Sequence, residues 1–385
     1  MMNIIASPAP PSDIGALKAA LAEGQLGVES RILWLCELAR QSARTGLAEE
    51  GLKHVKEAIE LAEAHLNPEE KANGLDAAAL CHYYRGDHLM AIACGIDAYQ
   101  GYAAFQRYDK MGHVLTSVAA SFAEVNAMDL AEAALRGCLN IAMRLNDDFL
   151  LARTQNTLGI TLGDLHRFDE ADVLLSAAIA SLRRLGKGEH ISKIMTNRGN
   201  LHKKNAVRLM ATNDLEGAKQ YLRRGIVLVR EGLDVAVAAD NPFQIAERQG
   251  LLGEYYFLLG EYDAATTHIK MALAQSSALD HAPIMAESML YLGLIAQVDG
   301  SLADAIHWLR QGLALSKERE LKALRPRLHD ALALVLKQAG QGADADGHHN
   351  AAHEWRSHVT QTNREVEREA RTMWLTHFSQ HPLMA

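Results

Sequence analysis

Between Arg153 and Leu182 apolar residues recur with a helical period, the pattern breaks at Gly163-Asp164-Leu165-His166, and it then resumes. Leu158, Gly159 and Leu162 share one face of the first run. In the second, Ala171, Leu175 and Ala178 share a face at spacings of four and three. The pattern predicts two helices folded into a hairpin, with Gly159 and Ala171 at the closest approach and Leu162 and Leu175 filling the space beside them. One flank of such a hairpin stays apolar, so a second unit has to cover it.

Copies of the unit supply that cover. Leu252-Gly253, Tyr256, Ala265, Ile269 and Ala272 repeat the pattern, as do Leu292-Gly293, Ala296, Ala305 and Leu309. In each copy the small residue of the first helix precedes the alanine of the second by twelve. Weaker versions place Ala39 with Gly51, Ala79 with Ala91, Ala119 with Ala131 and Ala333 with Ala345. The turn residues Gly46, Gly86, Asn126 and His166 stand forty apart, and Gly260, Gly300 and Gly340 resume that interval.

The fifth copy is longer. Gly199 precedes Ala218 by nineteen, and the seven extra residues are nearly two helical turns, which keeps the buried face within ~20°. A second excess of seven between Gly225 and Gly253 lengthens the second helix to Asp240-Asn241-Pro242, a cap followed by proline in the next helix.

The order Leu-Gly, aromatic, Ala, Ala resembles the signature of the tetratricopeptide-repeat family, without that family's tryptophan and closing proline and with a longer period. The expected fold is therefore all-α, a right-handed α-solenoid of about eight helical hairpins. The expected organisation is a Pro-rich tail over residues 1–11, a capping helix over 12–24, the repeats over 28–345, an extended helix over 346–378 and a tail over 379–385.

Composition narrows the function. Of 385 residues 49% are hydrophobic and 5% aromatic, so alanine and leucine carry the packing. A net charge of −8 with interspersed signs argues against binding nucleic acid unaided. No apolar run approaches the ~20 residues of a membrane span, so a cytoplasmic protein is expected. Cys36, Cys81, Cys94 and Cys138 form no CxxC pair and read as small apolar fillers. Phosphate-cradling loops, nucleophile elbows, HExxH and dinucleotide fingerprints are missing from the sequence, so neither an enzyme nor a cofactor is expected. His348, His349, His353 and His358 lack a third ligand at helical spacing, which leaves no metal site expected.

Two surfaces remain as candidates. The last helix carries Trp355, Val359, Val366 and Met373 along an imperfect heptad seam, which fits either packing back on the last repeats or a homodimer contact. The other surface is the groove. In the family resembled, first helices line a concave face that contacts an extended peptide. That resemblance points to Arg153 and Asn156 in the fourth repeat and to Lys193, Thr196, Asn200, Lys203 and Lys204 in the fifth. It adds Glu247 and Glu254 in the sixth repeat, and Asp76, Tyr83 and Tyr84 in the second. Asparagine can bond both groups of a peptide backbone, and the basic residues suit an acidic or carboxylate-bearing partner. The expected role is a peptide-binding scaffold or regulatory adaptor, as the resemblance to bacterial repeat regulators implies. A self-assembly module and, further off, a groove-based enzyme are the alternatives.

Overall fold

The structure is a computed structural model that describes residues 14–23 and 26–377, so the two expected tails lie outside the described residues. Among the described residues every regular element is an α-helix. A short helix α1 (Ile14–Ala22) precedes seven hairpins: α2 (Val28–Arg44) with α3 (Ala48–Ala64), α4 (Pro68–Arg85) with α5 (His88–Ala104), α6 (Tyr108–Glu124) with α7 (Met128–Leu145), α8 (Asp148–Asp164) with α9 (Phe168–Arg184), α10 (Gly188–Ala211) with α11 (Leu215–Ala238), α12 (Pro242–Leu259) with α13 (Tyr262–Ala278), and α14 (Ala282–Val298) with α15 (Leu302–Glu318). An eighth pair follows, α16 (Arg325–Gln338) with α17 (Gly342–His377).

The forty-residue turn register has a backbone cause. Gly46, Gly86, Asn126, His166, Gly260, Gly300 and Gly340 all take positive φ, in the left-handed region that ends a helix. At Gly46 (φ +86°) the following Leu47 N–H donates back to the Ser42 carbonyl at 2.8 Å, closing the last turn. The links between hairpins use the same device at Leu66, Gln106, Asn146, Asp280 and Glu320.

The predicted lengthening of the fifth hairpin is present in both helices: α10 and α11 have 24 residues each, against 17 for α9 and α13. The Ser192 hydroxyl donates to the Gly232 carbonyl at 3.1 Å, tying the start of α10 to the added length of α11. Close approach within hairpins follows the small residues. A Cβ on Gly253 would lie 2.3 Å from Cγ1 of Ile269 and 3.2 Å from the Ala265 carbonyl oxygen.

The chain divides into two compact units: residues 1–165 with 363–385, and residues 166–362. In the first, Leu17 and Leu21 of α1 join the core formed by Ile32, Leu35, Val55 and Ala58, so α1 covers the open flank of the first hairpin. Among the described residues of the second unit one core gathers around Leu222, Leu252 and Ile269 and another around Leu309, Leu328 and Leu332. Cys36, Cys81 and Cys138 are buried and unbridged, and burial pushes the Cys36 thiol up to about 12.

Helix α17 runs unbroken for 36 residues. Its first part belongs to the second unit, where Ala345 and Ala352 are buried, Arg356 pairs with Asp330 at 2.5 Å, and Trp355 lies under the Arg325 guanidinium. Its last part belongs to the first unit. Ala370 is fully buried there, Trp374 meets Phe122 of α6 edge-on at 5.5 Å, and Arg371 grips both oxygens of Asp129. This corrects the expectation that a folded-back helix would rest on the seventh and eighth repeats throughout. Of the predicted seam, Val366 and Met373 are half-buried beside Ala370 and Trp374, and the Val359 side chain lies outside the described residues.

Candidate functional site

One register of the first helices is polar through most of the chain. Six residues before each small residue stand Asn73, His113, Arg153, Lys193, Glu247, Glu287 and Arg327. One pair of successive members touches in each unit. Arg153 approaches His113 Nδ1 at 3.4 Å in the first, and Arg327 donates to Glu287 at 2.9 Å in the second. In the first unit this face satisfies itself, since Arg40 donates to Asn73 at 2.6 Å and to Asp76 at 2.8 Å.

The second unit leaves a cleft of about 250 Å³ between α12 and α14, with Asn200 of α10 on its wall. Phe243, Glu247, Gly250 and Glu254 line it from α12, and Pro283, Glu287, Ser288 and Tyr291 from α14. His281 caps the start of α14, accepting from the Ile284 N–H, and packs against Phe243 with ring centres 4.9 Å apart.

A chain of polar contacts holds the floor. Lys203 Nζ lies 2.5 Å from Glu254, and the Tyr291 hydroxyl donates to the other Glu254 oxygen at 2.5 Å. Arg327 in turn donates to the Tyr291 oxygen at 3.2 Å. Burial, and then the Glu254 charge, push the Tyr291 phenol well above its ordinary range, so it stays a donor to Glu254. Two lining polar groups have no partner: the Asn200 Oδ1 acceptor and the Ser288 hydroxyl are buried without a hydrogen bond.

A second recess of about 280 Å³ adjoins the cleft across Pro283 and Glu287. Pro242, Pro283 and Pro326 each sit in the first turn of α12, α14 and α16, and α16 starts only at Arg325, later in its repeat than the other two. Residues 322–324 form a turn instead, leaving Leu321 and Leu324 beside the opening.

No protein-family model matches the chain, and no curated protein matches it in sequence. Among solved structures it is similar to the Rap conjugation gene regulator of plasmid pLS20 in complex with the Phr* peptide, at 14% identity over 85% of this chain and 95% of that one, with a TM-score of 0.55. A Rap protein complexed with competence and sporulation factor aligns at 14% identity over 86% and 99%, with a TM-score of 0.54. A signal-transduction ATPase with a tetratricopeptide-repeat sensor, from Pyrococcus horikoshii, aligns at 13% over 93% of this chain and 55% of that one, at 0.56. The fold is that of the tetratricopeptide-repeat proteins.

In that tetratricopeptide-repeat frame the residues expected to bind a peptide divide. Arg153 is exposed and Asn156 half-buried in the first unit, while the other four lie on α10 in the second. Lys193 is exposed, and Asn200, seven residues on, enters the cleft wall. Thr196 is a correction: it is 4% exposed and its hydroxyl donates to the Ser192 carbonyl at 3.1 Å. Lys203 is committed to Glu254. At about 100° per residue Thr196 and Lys203 leave the helix some 60–80° from Lys193, and the packing of neighbouring helices decides what each meets there.

Phe243, His281, Glu287, Ser288 and Tyr291 were not expected in the site, although Glu247 and Glu254 were. Glu287 was within reach of the sequence, since it stands forty after Glu247 in the same register. Among the described residues no helix is long and apolar enough to cross a membrane, and no group of three His, Cys, Asp or Glu is placed to hold a metal ion.

Proposed function

We propose that the chain is a non-enzymatic regulatory adaptor that binds an extended protein or peptide segment in the groove of its second unit. The observation that carries this reading is the α12–α14 cleft with Asn200 Oδ1 and Ser288 Oγ buried on its wall and unpaired. A buried acceptor without a donor is destabilising, and a peptide N–H is a ready donor. The two Rap structures similar in fold are complexes with Phr* peptide and with competence and sporulation factor, which supports the same kind of ligand.

Asn200 serves as the backbone clamp, bonding a peptide carbonyl through its amide N–H and a peptide N–H through Oδ1. The basic residues on which an acidic partner rested contribute less than the sequence suggested, because Lys203 already neutralises Glu254. Peptides recovered by pull-down from cell extract, titrated by fluorescence anisotropy, test the reading. Asn200→Ala is expected to weaken binding about three- to tenfold, from one or two neutral hydrogen bonds, with the salt dependence unchanged. Affinity equal to that of the parent would move the site away from this cleft.

A further inference from the structure

The α12–α14 cleft is selective in its chemistry. It is lined by three carboxylates, Glu247, Glu254 and Glu287, and by no lysine or arginine. The cations that balance them stand outside the lining. Arg248 pairs with Glu247 from a side chain only 1% exposed, Lys203 holds Glu254, and Arg327 holds Glu287. What the cleft presents to a ligand is therefore rich in acceptors, with the Asn200 amide N–H and the Ser288 hydroxyl as donors among them. Ser288 adds an unpaired hydroxyl, able to accept from a ligand or donate to it, on a residue only 3% exposed. Asn200 Oδ1 adds an unpaired acceptor on the opposite wall.

Phe243 and Leu251 give the cleft apolar surface beside these oxygens, suited to the methylenes of a long side chain. A guanidinium carries five N–H donors in a rigid plane and accepts nothing, which is the complement of this lining. An acidic side chain would instead bring a fourth carboxylate beside Glu247, Glu254 and Glu287.

We propose that this cleft is a pocket for the side chain of a basic residue, arginine in preference to lysine, within the bound segment. The proposal rests on the peptide-groove reading and adds to it a specificity. The backbone is held by Asn200 and the cationic head by Glu287, Glu247 and Ser288.

The test uses the full chain and an array of heptapeptides scanned one position at a time. Matched probes then carry arginine, the uncharged isostere citrulline, or glutamate at the selected position. The parent should select arginine at one position and bind the citrulline probe about ten- to a hundredfold more weakly. Glu287→Gln should shrink that arginine-to-citrulline ratio, while Asn200→Ala should weaken both probes alike. The Glu287–Arg327 pair is half-exposed, so Glu287→Gln should unfold at the parent's temperature. Ser288→Ala, which removes an unpaired hydroxyl, provides a second variant that folds.

Equal binding of arginine and citrulline probes, a preference for glutamate, or a ratio unmoved in both variants overturns the pocket and leaves the groove standing. If no heptapeptide binds the parent, the groove reading falls and the pocket with it. Agmatine, the same guanidinium without a peptide, should compete at least about a hundredfold more weakly than the arginine probe. Parity between them would make this a small-molecule site and overturn the assignment to a peptide.

Discussion

Two glycines three residues apart in α12 give a controlled measurement of hairpin packing. A Cβ on Gly250 would meet only the Ala272 methyl at 3.7 Å, an ordinary contact. The same atom on Gly253 would come within 2.3 Å of Ile269 Cγ1, 3.1 Å of the Ile269 nitrogen and 3.2 Å of the Ala265 oxygen. Replacing either by alanine recovers about 1 kcal/mol of helix propensity. At Gly253 that gain is opposed by overpacking, typically 1–3 kcal/mol, because the Ile269 side chain can rotate away but the backbone of α13 cannot. Gly250→Ala should therefore stabilise by up to about 1 kcal/mol, and Gly253→Ala should be neutral or destabilising by up to about 2 kcal/mol. Their difference removes the propensity term and isolates the contact. Gly253→Leu should lose more than Gly253→Ala. The assay is urea unfolding followed by circular dichroism, with both variants in one helix so that the same cooperative segment is read. If Gly253→Ala stabilises as much as Gly250→Ala, the close approach of α12 and α13 at that point is refuted.

Three further outcomes are expected. Trp374→Ala should destabilise the first unit by about 3–5 kcal/mol, as for other buried aromatics, and expose α6 around Phe122 to hydrogen exchange; exchange there identical to the parent's would show that the end of α17 is not docked. Light scattering on the parent and on a chain ending at Ala345 checks the self-association reading of the seam, which a dimer surviving the truncation would sink. The third outcome concerns pH. His329 and His348 lie with their Nδ1 atoms 2.8 Å apart, and burial holds both below the ordinary histidine value near 6.5. For His329 the His348 and Lys317 charges add to burial against Asp330, and for His348 Arg310 and Lys317 add to it against Asp344. Below about pH 6.5 the unfolded chain takes up protons that these folded rings resist, so their contribution to stability is whole above that pH and lost as pH falls through it. His348→Gln should flatten the slope of stability between pH 7 and 5, and an unchanged slope would remove the pair as its source.

The hairpins, their turns and the enlarged fifth repeat were legible from residue order alone because each rests on contacts close in sequence. The small residues at Gly253 and Ala265 set the hairpin, a left-handed turn residue recurs every forty positions, and an insertion of seven keeps a helix face in register. Asn200 and Glu247 could be placed on the groove for the same reason. Tertiary structure alone decided which of those groups stay available. Thr196 turns into the packing, Lys203 is taken by a glutamate fifty-one residues away, and Arg371 finds Asp129 at a separation of 242. Helical periodicity tells which face a side chain leaves from, but a long polar side chain reaches several ångströms to whatever charge the fold brings near it. The pairing of the cleft's cations, and with it the acceptor character of the cleft, is therefore a property of the packed repeats.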